Sequence, residues 1–209
     1  ATAKAGAMGR ALDALKNMIC SGQLSPGEQI RQEEMAEQLK VSRVPLREAM
    51  NVLADQGMLQ HRPNQGYFVT KRTPAERDQI TRMLHLLENE LTASIVWPDA
   101  ETLANLRELN EQMRAQVQAD DPWELIQLNR RFHFTIFGLS PHRLILDEVQ
   151  KLWALVEPLL WLKFEHAPAR LQTITEHERL IDALESRDMA RCTMEMQQHR
   201  SPIELRDAR

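Results

Sequence analysis

Cysteine is scarce in this sequence: Cys20 and Cys192 are the only two among 209 residues, far apart and in no paired motif. That excludes a disulfide framework and a cysteine zinc cluster, and the expectation is two buried free thiols. Long apolar runs are missing too. No stretch approaches the roughly 18 uncharged apolar residues of a membrane span, and the opening residues lack the basic-then-apolar order of a secretory signal. These absences predict a cytoplasmic protein with no membrane partner. Internal repeats and low-complexity segments are also lacking, which argues against a solenoid. Nor does one sign of charge dominate, since 26 Lys and Arg against 30 Asp and Glu leave a net charge of -4. The average hides an asymmetry: residues 1–72 carry 10 basic and 7 acidic side chains, a balance of +3, against -7 for residues 73–209. Only the first part suits a polyanion, and a surplus of three is a weak signal by itself.

What is present is a chain that is 43% hydrophobic, long enough to bury one large core or two modest ones. Residues 1–8 show no apolar periodicity and read as a flexible arm or an expression remnant. From Gly9 to Ser21, the residues Ala11, Leu12, Leu15, Met18 and Ile19 follow helical spacing, and Ser21-Gly22 supplies the stop. A turn at Ser25-Pro26-Gly27-Glu28 precedes a second helix over residues 32–39, with Met35, Ala36 and Leu39 on one face. A third helix begins near Ser42, whose hydroxyl is placed to accept a backbone N–H as an N-cap. Pro45 in its first turn is harmless there, and Leu46, Ala49, Met50 and Leu53 form an inward stripe until Gly57 ends the helix. Residues 58–62 and 67–71 then read as two strands joined by Pro63-Asn64-Gln65-Gly66, a hairpin.

Thr73-Pro74 marks a change, after which the sequence reads as helices over residues 75–96, 99–118, 122–138, 141–165, 168–186 and 188–206. Pro98, Pro122, Pro141 and Pro168 sit near four of the starts, and Ser186-Arg187-Asp188 is a tight reversal. Six or so helices with short connections imply an antiparallel bundle. The predicted fold is mainly α: a winged helix-turn-helix over residues 9–72, then an all-α bundle over 75–209.

Helix, short helix, turn, third helix and hairpin is the order in which a third helix enters the DNA major groove and the hairpin approaches the backbone or minor groove. Arg43 and Arg47 are four apart and share a face near the N-terminal end of that helix. A guanidinium can bond guanine O6 and N7 or brace a phosphate. On spacing alone the pair serves equally well as a solvated helix face; the hairpin and the preceding turn favour DNA. The segment Gly22-Gln-Leu-Ser-Pro-Gly27, Met35-Ala36, Val41-Ser-Arg-Val-Pro-Leu-Arg-Glu-Ala49, Leu53, Gly57 and Gly66-Tyr-Phe-Val69 resembles the DNA-binding domain of the GntR family of regulators over about residues 9–72. That resemblance implies operator contacts by Ser42, Arg43 and Arg47 and a wing tip at Gln65 and Gly66. Glu33 stands where related regulators often present an arginine, so that contact is not carried over; either Arg31 takes its place or the contact is absent.

The helical remainder resembles the FCD effector domain of the FadR-type branch of the same family. The residues that carry it are Leu87-Glu88, Asn129-Arg-Arg-Phe132-His133, Glu176-His177 with Ile181 and Ala183-Leu184, Asp188 and His199. Asn129 and His133 are i and i+4, on one helix face. His177 and His199 lie ten and twelve residues either side of Arg187, about 15 and 18 Å along their helices, so an antiparallel pair sets them nearly level. Three imidazoles and an oxygen form a plausible shell for a divalent ion such as zinc or nickel. Asn129 replaces an aspartate common in relatives, so the site has less negative charge and either binds metal more weakly or holds water and effector alone. The resemblance further implies a small carboxylate effector above the metal, with Arg130 or Arg131, about 100° apart on their helix, facing the cavity, and Arg130 as the candidate. The expected protein is a homodimeric, ligand-responsive regulator of operator DNA, a repressor like many relatives, and not an enzyme. Other readings make the helical part a dimerisation module without ligand, or a metal-dependent hydrolase-like site, which here lacks an assigned base.

Overall fold

The computed structural model describes residues 2–200, with side chains from residue 6 onward. It divides into two compact units. One comprises the residues up to Ile80 together with Lys151–Pro158; the other comprises Thr81–Gln150 and the residues from Leu159 on.

In the first unit, α1 (Thr2–Cys20) begins well ahead of Gly9, so residues 2–8 are helical rather than the irregular arm expected. Alanines and a lysine propagate a helix already nucleated by the buried Ala11 and Leu15, even without an apolar stripe of their own. Gly22, at φ 76°, takes the left-handed conformation that ends it. Then come β1 (Gln29–Ile30), α2 (Gln32–Gln38), α3 (Arg43–Asp55), β2 (Leu59–Arg62) and β3 (Gly66–Val69). The strands form one antiparallel sheet in the order β1-β3-β2, with Ile30 opposite Tyr67 and His61 opposite Tyr67 from the other side. β1 was not legible as a strand, because two residues are too few to show alternation. α3 packs on α1, α2 and β2. Its face of Leu46, Ala49, Met50 and Leu53 is completely buried, each large side chain contributing about 1.5–3 kcal/mol.

The segment 151–158 was expected to belong wholly to the helical bundle, yet it clusters with this first unit. Lys16 Nζ lies 3.9 Å from the buried Glu157 carboxylate, and Leu155 Cδ2 stands 3.4 Å from where a Cβ on Gly57 would be. Gly57, at φ 74°, reverses the chain out of α3.

The second unit draws on α4 (Pro74–Ala93), α5 (Ala100–Ala115), α6 (Trp123–Phe137), α7 (Arg143–Lys163), α8 (Ala167–Glu185) and α9 (Met189–His199). The last helix was expected to reach residue 206, which lies outside the described residues. α5 packs on α6 and α8, and α8 on α9. Leu106, Leu125, Ile126, Phe132, Ile136 and Phe137 are fully buried among them. Capping fixes the helix starts: the side chains of Asp99 and Asp188 accept hydrogen bonds from the backbone N–H of Thr102 and Arg191. Arg187, at φ 54°, makes the α8–α9 reversal. Arg200 Nε reaches the buried Glu88 carboxylate at 2.8 Å, and its Nη1 donates to Asn89 Oδ1 at 2.6 Å, tying the end of α9 to α4. Both cysteines are buried free thiols; burial pushes Cys20 up to about 12 and Cys192 up to about 11. Among the described residues no helix is long and apolar enough to cross a membrane.

Candidate DNA interface and histidine centre

The apolar stripe that holds α3 down leaves Arg43, Arg47 and Asn51 exposed on its opposite side. Ser42 stands at the N-cap with extended backbone (φ -76°, ψ 162°), but its hydroxyl makes no capping bond, contrary to expectation. Ser42 is exposed beside the two arginines. The hairpin turn follows from its residues: Pro63 sets one φ, Asn64 adopts φ 62°, and Gln65 N–H closes the turn on the Arg62 carbonyl at 3.0 Å. Gln65 is exposed at the tip, its carbonyl accepting from Gln29 Nε2 at 2.6 Å, and Gly66 follows at φ 91°. The Arg62 guanidinium covers the Phe68 ring at 4.2 Å. The Tyr67 hydroxyl donates to Asn51 Oδ1, joining the wing to α3. Two ion pairs border this face. Arg31 Nη1 meets Glu34 Oε1 at 3.0 Å, and Arg43 Nη2 meets Glu33 Oε1 at 2.7 Å.

In the bundle, His133 on α6, His177 on α8 and His199 on α9 converge, with one ligand atom of each within 4.8 Å of the others. All three are buried. His133 Nε2 and His199 Nε2 are 3.0 Å apart, and His177 Nε2 is buried with no hydrogen-bond partner. Asn129, one turn before His133 on the buried face of α6, likewise has an unpartnered Oδ1. Arg130 is half-buried, its guanidinium 4.5 Å over the Phe134 ring.

Asn110, which the sequence reading did not single out, and Glu176, quoted there beside His177, orient these rings from behind. Asn110 on α5 donates its Nδ2 to the Ile174 carbonyl at 3.0 Å, so its Oδ1, 3.2 Å from His177 Nδ1, must be an acceptor. His177 therefore carries its proton on Nδ1 and presents a bare lone pair at Nε2. Glu176 Oε2, 2.8 Å from His199 Nδ1, does the same for His199. Phe132 stacks on His177 with centroids 3.8 Å apart and planes 7° from parallel. Burial first, then neighbouring imidazoles, holds His133 and His177 well below the ordinary histidine range. Burial also lowers His199, against the raising effect of its hydrogen bond to Glu176. Burial pushes the Glu176 carboxyl up, but hydrogen bonds from His199 and Gln172 outweigh it and leave the group lowered. The charge of Lys163, itself lowered by burial, weighs on all three imidazoles. Neutral imidazoles with a bare Nε2, as His177 and His199 are held, are the form a metal ligand requires.

A winged helix-turn-helix joined in sequence to a helical bundle with a buried histidine cluster defines the class of transcription regulators. Residues 8–69 match the model of "Bacterial regulatory proteins, gntR family" and residues 79–201 that of the FCD domain. The chain belongs to the GntR family of transcriptional regulators, whose members bind operator DNA, and it carries an FCD domain. It is 30% identical over 181 residues to the HTH-type transcriptional regulator McbR of Escherichia coli strain K12, covering 85% of this chain and 82% of that one. It is 25% identical over 181 residues to the HTH-type transcriptional repressor RspR of the same strain, covering 86% and 79%. Among solved structures, E. coli McbR/YncC superposes with a TM-score of 0.77 at 26% identity over 92% of each chain. Relatives and families alike are regulators and not enzymes.

Proposed function

We propose that this regulator senses a small anionic metabolite at a metal centre in its helical domain and represses transcription as a homodimer. His133, His177, His199 and Asn129 hold a divalent ion, zinc or nickel. The observation that carries this reading is the convergence of three buried imidazoles on one point: His133 Nε2 and His199 Nε2 share a hydrogen bond at 3.0 Å, His177 Nε2 has no partner, and Asn110 and Glu176 pin the tautomers of His177 and His199 from behind. When bound, the ion supplies a Lewis-acidic anchor for a carboxylate. Lys163 adds positive charge beside it, and Arg130 is the candidate contact on α6.

Ser42, Arg43, Arg47, Gln65 and Gly66 are the operator contacts in this reading, Arg43 and Arg47 in the major groove and Gln65-Gly66 at the wing tip. The relative named as a repressor supports the sign of regulation. Elemental analysis of the purified chain and a thermal-shift screen of carboxylic acids test the sensor. One ion per chain and a Tm rise with specific acids are expected; no metal together with no response overturns it. Arg47→Ala is expected to abolish operator-specific binding with helix content unchanged, and unaltered affinity counts directly against the assigned DNA face.

A further inference from the structure

We propose that Glu33 is a positioning residue for DNA reading: its carboxylate fixes Arg43 as a guanine reader and keeps that arginine off the phosphate backbone. The proposal rests on the assignment of Arg43 as an operator contact. Arg43 is the first residue of α3, where a cation faces the positive end of the helix dipole, and no acidic side chain in that first turn offsets it. The offset comes from the neighbouring helix. Glu33, in the first turn of α2, where a carboxylate is favoured, reaches Arg43 Nη2 with Oε1 at 2.7 Å.

One N–H of the guanidinium is used, and four of its five donors stay free, enough for the two parallel bonds that guanine O6 and N7 accept. In the free protein the two side chains are 71% and 75% exposed, so water screens the pair and it merely biases the arginine's direction. A groove closing over them removes that water and strengthens the pair. A phosphate that takes the free donors of Arg43 brings a full negative charge beside the Glu33 carboxylate, which repels it. A base edge carries no net charge and is repelled far less. Glu33 thus lowers affinity for DNA in general while sharpening the choice of base. Arg31, at the N-cap of α2, is paired with Glu34 and does not compete for Glu33 in this arrangement.

The test uses the full chain and a randomised duplex library, followed by titration of the selected half-site, its variants and a mixed-sequence duplex over a range of salt. The wild type is expected to select a guanine whose replacement by 7-deazaguanine, lacking N7, weakens binding. R43A is expected to erase that preference. E33Q is expected to cut the guanine preference about tenfold or more, to bind mixed-sequence DNA more tightly, and to steepen the salt dependence by about one released counterion as the freed arginine takes a phosphate. In an R43A background, E33Q should change the guanine preference no further. Full guanine preference in E33Q, or a parallel loss of selective and general binding, overturns the positioning role. Unchanged selectivity in R43A overturns both that role and the assignment of Arg43 on which it rests.

Discussion

Replacing Arg170 is expected to be among the most damaging single changes in the helical unit. Its side chain is 3% exposed at the start of α8. Nε donates to the Phe164 carbonyl at 2.6 Å, and Nη1 reaches the carbonyls of Ala119, Val117 and Gln116 at 2.5, 3.0 and 3.3 Å. Those four oxygens lie where α7 and α5 end; the Gln116 carbonyl also accepts from Ala119 N–H at 3.1 Å, and the fixed cation answers the end-of-helix carbonyls that no further helical turn would pair. Nη1 has only two hydrogens for three acceptors, which makes three hydrogen bonds in effect. Bonds to a charged donor contribute about 1.5–3 kcal/mol each. Their sum overstates the loss, because water can reach some of the freed oxygens and the desolvation cost of the guanidinium vanishes with it. Arg170→Met is therefore expected to cost about 3–5 kcal/mol, and Arg170→Lys about half that, since an ammonium offers donors without the planar fork. Urea unfolding monitored by circular dichroism, with the m-value unchanged, reads the difference directly. A loss below about 1 kcal/mol for Arg170→Met would refute the reasoning that this side chain, rather than the surrounding core, closes the two helix ends.

Asn110→Leu should leave the fold intact but free the His177 tautomer, lowering metal affinity about 10–100-fold in a competition titration; equal affinity would remove Asn110 from the site. In the chelator-treated chain, His133, His177 and His199 have folded pKa values below the unfolded value of about 6.5, so the unfolded state binds more protons as pH falls past that point. Stability should then decline below about pH 6.5, by at most about 1.4 kcal/mol per pH unit per imidazole, and a flat stability profile from pH 7 to 5 would contradict their neutral burial. Gly57→Ala places a Cβ 3.1 Å from Arg72 Nη2 at φ 74°, and is expected to cost more than about 1 kcal/mol in the same urea assay. Cys20 and Cys192, with thiols pushed up to about 12 and about 11, should resist a thiol reagent at pH 8 until the chain is unfolded.

How much was legible in advance varies with the range of the forces involved. Element types in the first unit followed from local chemistry: the 3.6-residue stripe of Leu46, Ala49, Met50 and Leu53, the glycine after it, and the Pro-Asn-Gln-Gly turn each act within a few residues. β1 escaped because its pairing partner, Phe68, is 39 residues away in sequence. The extension of α1 escaped because the helix propagates from a core that forms farther along. His133, His177 and His199 were grouped on spacing and resemblance, since a helix pair sets ring heights by simple arithmetic. Asn110, Arg170 and Lys163 left no such trace: an asparagine or a cation in an amphipathic helix looks like any solvated position until another helix is laid against it.

By itself the sequence determined the order of the helices and, α1's start apart, their approximate bounds, which face of each is apolar, that a hairpin follows the third helix, and which histidines lie on two adjoining helices. These are properties of one chain segment and its immediate neighbours. Only the tertiary structure decided that Glu33 pairs with Arg43, that Glu176 and Asn110 choose the tautomers of His199 and His177, and that a stretch of α7 clusters with the first unit. Each of those depends on two segments meeting at a distance of a few ångströms, and electrostatic and hydrogen-bond energies fall too steeply with distance for sequence position to reveal them.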